Sequence, residues 1–222
     1  MKKFLLLGAM VSVVGSAQAV VVYSENWDAG IAASGWTSTD DNGSTLFWED
    51  RVDVGAGNYA SSISGDQSNA PIASSTFFGE SPNGFDTSLR SQAISLAGYQ
   101  SAAMSIDINF QKFGENIEGD QFEILASGDG SNWALLEEFE IDTPINGLFQ
   151  LNSGVTKNYN LSAYDGGDLY LRFRFVDPTL NANEWYAQVD NLVVTADAVP
   201  EPASMVALGA GLLALARRRR SK

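Results

Sequence analysis

The chain has 222 residues, with 13 Lys+Arg against 27 Asp+Glu, no His and no Cys. Without His and Cys there is no Ser-His-Asp triad, no Cys nucleophile, no ordinary zinc site and no disulfide scaffold, so any catalysis would fall to carboxylates. The acidic balance repels nucleic acid and anionic lipid, and suits solubility, divalent cations and neutral glycans.

Residues 1–19 read as a secretion signal. Lys2 and Lys3 supply the positive start, Phe4 to Gly15 the apolar stretch, and Ala17-Gln18-Ala19 the small-x-small cleavage pattern. Cleavage after Ala19 is expected, with the Sec translocon and signal peptidase as partners. The segment that follows, 20–198, is one domain's worth of chain with room for a sizeable core. Between the two terminal segments only six basic residues face 26 acidic ones, a net charge of about −20.

This segment reads as all-β. Short alternating runs recur between clusters of Gly, Asn, Asp and Ser, and helical periodicity is missing. Weaker strands are predicted at Val20–Ser24, Leu46–Glu49, Ser75–Phe78, Thr87–Leu96, Thr156–Leu161 and Tyr186–Thr195. Met104, Ile106, Ile108 and Phe110 alternate with polar residues. Phe122-Glu123-Ile124-Leu125 leads through Gly128-Asp129-Gly130-Ser131 into Trp133–Ile141, a hairpin whose Asp-Gly turn requires positive φ. In Asp168–Asp177, Leu169, Leu171, Phe173 and Phe175 face one way, and Tyr170, Arg172, Arg174 and Val176 the other. Antiparallel strands without a βαβ rhythm predict a two-sheet sandwich of jelly-roll type. Asp40–Ser44 and Gly55–Pro71 read as surface loops.

Three sets of residues could carry chemistry. Glu140-Ile141-Asp142 resembles half of the Glu-x-Asp-x-x-Glu strand of laminarinase-like glycosidases, but Thr143-Pro144-Ile145 stands where the second Glu belongs, so an exposed acidic strand edge is the better reading and no catalytic residue is assigned. Of the five tryptophans, Trp133 is expected in the core, whereas Trp48 and Trp185 sit among polar residues and are candidate sugar contacts. Asp190 shares a face with Leu192 and Val194 under simple alternation, which aims a carboxylate at the core. A buried carboxylate needs a cation or several donors. Glu25 and Asp28 would complete a calcium site with Asp190 if the chain ends meet. The alternative is a turn cap, with Asp190 bonded to amides or facing solvent.

Pieces of this segment resemble jelly-roll modules of the galactose-binding-like and MAM-like kind: Glu25-Asn26-Trp27-Asp28, Gly35-Trp36, Ser127–Trp133, Leu171–Phe175 and Val189-Asp190-Asn191-Leu192. The resemblance implies glycan or protein adhesion, with a structural calcium ion joining the first and last strands.

Residues 199–222 have three parts in order: Val199-Pro200-Glu201-Pro202, an uncharged apolar run from Ala203 to Ala216, and a basic block of Arg217, Arg218, Arg219 and Arg220 with Lys222. The prolines block a helix before Ala203. The apolar run reads as a short transmembrane helix, although fourteen residues span only about 21 Å of the roughly 30 Å hydrocarbon core. This order resembles the PEP-CTERM sorting signal of exopolysaccharide-producing Gram-negative bacteria. The resemblance implies recognition and removal by exosortase, a membrane-embedded cysteine transpeptidase, with inner-membrane passage before arrival at the cell surface or matrix. The expected role is glycan or exopolysaccharide binding, or adhesion, in a surface matrix or biofilm. The alternatives are an acidic structural matrix protein without a ligand, and a carboxylate-dependent glycan-active enzyme.

Overall fold

The structure, a computed structural model, describes residues 18–53, 68–74, 84–112, 121–140, 154–178, 185–199 and 202–220. Two antiparallel six-stranded sheets face each other. In chain order the elements are β1 (Ala19–Glu25), α1 (Ile31–Ser34), β2 (Thr37–Asp40), β3 (Glu49–Asp50), β4 (Pro71–Ser74), β5 (Phe85–Arg90), β6 (Ile94–Ser95) and β7 (Tyr99–Lys112). There follow β8 (Gln121–Ser127), β9 (Ala134–Glu140), β10 (Val155–Asn160), a 3₁₀ turn (Ser162–Tyr164), β11 (Asp168–Asp177), β12 (Trp185–Ala198) and α2 (Pro202–Arg220). The first sheet runs β10-β7-β12-β4-β3, with β1 also on β12; the second runs β2-β5-β11-β8-β9, with β6 on β11.

The expected sandwich is present, and its core is the product of alternation. Met104, Ile106, Ile108 and Phe110 of β7 meet Leu169, Leu171, Phe173 and Phe175 of β11, all within 1% of full burial. Trp27, Trp36 and Trp48 join the same core. Trp36 stacks on Phe173 with centroids 5.4 Å apart, meets Trp27 edge-on at 5.2 Å, and donates its indole N–H to the Tyr23 hydroxyl at 2.8 Å.

Two short elements, α1 and β2, were not legible as such. The α1 turn is held by the Asp50 carboxylate, which accepts from the Ile31 amide at 2.9 Å. Gly30, at φ 89, leaves room for that carboxylate, since a Cβ there would lie 2.7 Å from Asp50 Oδ2. The strand expected at Leu46–Glu49 is reduced to β3, and that at Ser75–Phe78 lies outside the described residues, next to β4.

The β12 strand departs from simple alternation. Its pairing with β7 shifts between Asp190 and Val193, and Asn191 has φ 49, so β12 carries an extra residue there. Core-facing positions are Ala187 and Val189 before the bulge, and Leu192, Val194 and Ala196 after it. Asp190 therefore lies on the opposite face from Leu192 and Val194, beside Gln188, and the expected core-directed carboxylate is corrected. It is nonetheless buried, at 1% exposure.

The tail does form a helix. α2 begins on Pro202, a first-turn position that proline tolerates. Four of its 19 residues are the terminal arginines, and no helix among the described residues is long and apolar enough to cross a membrane.

Candidate functional site

Among the described residues, the predicted metal and ligand residues do not form one cluster. Trp48 is 2% exposed, lies 6.1 Å from the Phe122 ring, and donates its indole N–H to the Thr87 carbonyl at 3.3 Å. It is a core residue, and the expectation of a sugar-facing Trp48 is overturned. Trp185 opens β12 opposite Lys112, and its side chain lies outside the described residues. Ala17 is likewise outside them, while Ala19 opens β1 opposite Asp197.

The chain ends do meet, because β1 pairs with β12 and Glu25 opposes Leu192. The three carboxylates nevertheless serve separate local roles. Glu25 Oε1 accepts from the amides of Asn26 and Trp27 at 3.1 and 2.8 Å, Asp28 Oδ2 accepts from Asn26 Nδ2 at 2.6 Å, and Asp190 Oδ1 accepts from the Asn191 amide at 2.7 Å. Among the described residues no three His, Cys, Asp or Glu side chains are grouped to hold a metal ion. Glu25, Asp28 and Asp190 are not grouped in this way.

The surface that gathers polar chemistry is the outer face of the second sheet, where the alternation of β11 that buries Phe173 and Phe175 turns Tyr170, Arg172 and Arg174 outward. Register sets their neighbours: Arg172 opposes Arg90 and Leu125, and Arg174 opposes Ser88 and Glu123. Arg174 binds Asp86 through Nε at 2.7 Å and Nη2 at 2.5 Å, and Glu123 through Nη1 at 3.0 Å. These bonds, led by Asp86, hold its guanidinium above its ordinary pKa. Asp41 takes one contact from Arg90 at 2.5 Å and another from Arg172 at 2.7 Å, and accepts from the Ser88 hydroxyl. Burial lowers the Arg172 pKa against the pull of Asp41. Three of the six basic residues between the terminal segments thus share one sheet face, each matched by a carboxylate.

Aromatic groups border this ladder. Trp133, expected in the core, is instead partly exposed, with the Arg172 guanidinium 5.8 Å from its ring centroid. The β8–β9 loop places it there. Asp129 accepts from the amides of Ser131 and Asn132 at 2.8 and 2.7 Å, and these bonds, those of Asn132 first, hold its carboxyl well below the usual carboxylate range. Gly130, at φ 71, lies against the Tyr170 ring, where a Cβ would approach to 3.3 Å. Leu135 stands beyond, 52% exposed. The outward Arg172 and Arg174 were visible in the sequence as alternation, but Asp41, Asp86 and Glu123 join them only through register.

A second cluster closes one side of the sandwich. Glu137 of β9 accepts from Lys157 Nζ at 2.8 Å and from the Tyr159 hydroxyl at 2.6 Å, both on β10 of the other sheet. Burial first, and the bond to Glu137 second, push the Tyr159 phenol up. Its groups satisfy one another, so it reads as a strut. Glu140 ends β9, and Ile141 and Asp142 lie outside the described residues.

Residues 198–220 match the PEP-CTERM protein-sorting motif. No curated protein matches the chain. Among solved structures, the chain is similar to the K1 cleaved adhesin domain of Lys-gingipain from Porphyromonas gingivalis W83, at 21% identity and TM-score 0.52 over 81% of this chain and 99% of that one. It is also similar to the K3 cleaved adhesin domain of the same protein, at 22% identity and TM-score 0.54 over 79% and 98%. At that identity the likeness is one of fold. The chain carries a PEP-CTERM sorting motif, the mark of an exported protein handled by exosortase at the membrane, behind a β-sandwich folded like the cleaved adhesin domains.

Proposed function

We propose that the protein is a non-enzymatic glycan-binding module of the Gram-negative cell surface or its exopolysaccharide matrix, and that the outer face of the second sheet holds a neutral glycan. The sorting motif supports the destination. The observation that carries the ligand class is the set of matched guanidinium–carboxylate pairs beside the partly exposed Trp133. Paired charges present donors and acceptors already fixed in place, which suits sugar hydroxyls, while an indole face suits the apolar side of a pyranose ring. An anionic glycan would have to displace Asp41, Asp86 or Glu123 and enter a strongly acidic surface, which disfavours it.

Affinity electrophoresis through gels containing the host exopolysaccharide, a neutral galactan or an acidic uronan tests this. Retardation by a neutral polymer is expected, with loss of retardation in Trp133→Ala. Equal migration in every gel would overturn the binding reading and favour an acidic matrix protein without a ligand.

A further inference from the structure

The two chain ends of the sandwich lie side by side, and the sorting tail leaves from the interior of a sheet. On one edge of β12, Ala19 opposes Asp197 and Val20 opposes Ala196. On its other edge, Gln100 opposes Asp197 and Tyr99 opposes Ala198. The pairing runs one residue further, because the Val199 amide donates to the Gly98 carbonyl at 2.8 Å. Gly98 has φ 80, and its turn is fastened by Tyr99 N–H to Leu96 O at 3.0 Å and Leu96 N–H to Gly167 O at 2.8 Å. Asp165 holds the same end of β7 by accepting from the amides of Ser101 and Ala102 at 2.7 and 3.0 Å. The helix α2 then starts at Pro202, so only Pro200 and Glu201 separate the last paired residue from it.

A peptide bond is worked on by a protease-type enzyme when the chain around it is extended and unpaired, and the rate then follows the population of the open form. Here Asp197, Ala198 and Val199 are paired along the β7 edge, and β1 reaches no further than Ala19 opposite Asp197. We infer that the β12–β7 pairing is a gate on removal of the tail: Asp197–Val199 must leave β7 before the bond at the motif is reached, and the turn at Gly98, with Asp165 holding the start of β7, is the clasp that opposes this. The inference rests on the sorting reading. It adds an order of events: this end of the sandwich frays from β7 first, and tail removal follows.

The test is a pulse–chase of the full chain in a host with exosortase, reading the half-life of the tailed form. A six-residue Gly/Ser spacer inserted between Asp197 and Ala198 leaves the matched motif intact and carries it clear of the ladder. It is expected to shorten that half-life by about tenfold, the order set by one or two net backbone hydrogen bonds. The converse variant is Gln100→Cys/Asp197→Cys, at a directly opposed pair of β7 and β12 in a chain with no other Cys. Oxidised, it is expected to lengthen the half-life severalfold, with return to the wild-type value under reductant. Half-lives within about twofold of wild type for both variants would overturn the gate and leave the sorting reading intact. Retention of the tail in the wild type and in the spacer variant would overturn both.

Discussion

Replacing Trp48 by Ala should cost stability and not ligand. The side chain is 2% exposed, so truncation loses most of an aromatic burial of about 150–250 Å², worth roughly 4–6 kcal/mol at ~25 cal/mol per Å². Partial collapse of the site brings the expected loss to about 3–5 kcal/mol. It also removes the contact with Phe122 at 6.1 Å and leaves the Thr87 carbonyl without the indole donor. For a domain of this size, each kcal/mol is about 2–4 °C in melting temperature, so a fall of roughly 6–20 °C is expected by calorimetry. Trp48→Phe keeps a ring against Phe122 and should lose about 1–3 kcal/mol. A melting temperature within about 2 °C of wild type for Trp48→Ala, together with loss of glycan retention, would refute the reasoning and restore Trp48 as a surface contact.

Trp133→Ala, by contrast, should abolish retardation in neutral-polysaccharide gels while moving the melting temperature by only a few degrees, because the ring is partly exposed. Gly84→Ala should destabilise by more than about 1 kcal/mol in urea unfolding, since φ is 63 and the added Cβ would sit 2.2 Å from the Asp177 carbonyl oxygen. Tyr159 holds its proton more tightly folded than unfolded, so its contribution is fully present below the ordinary phenol pKa near 10 and is lost as pH rises beyond it. Melting temperatures taken from about pH 9 to 12 should fall less steeply in Tyr159→Phe than in wild type, and identical slopes would count against the strut. Asp129 is shifted the other way: its contribution is present above the ordinary carboxylate pKa and lost as pH falls below it, so Asp129→Asn should show a shallower acid limb of stability.

The sequence by itself determined what depends on near neighbours along the chain. The alternation in β7 and β11, the Asp-Gly hairpin between β8 and β9, and the ordered PEP, apolar and arginine parts of the tail were all readable. The period-two rule fixed which side of β11 is buried without reference to any partner strand. Tertiary structure decided the rest. Asp190 changed faces because a bulge at Asn191 is a mismatch between two strands, a property that β12 alone does not express. Trp48 and Trp133 exchanged their expected places because polar sequence neighbours do not fix exposure: Trp48 meets Phe122 across the sandwich, whereas Trp133 follows a loop that delivers it over Arg172. The ion-pair ladder joins Asp41, Asp86 and Glu123 to arginines up to 131 residues away, and only the register of four strands puts those charges on one face. Local periodicity sets which way a side chain points; which side chains it meets is set by pairing across the sheet.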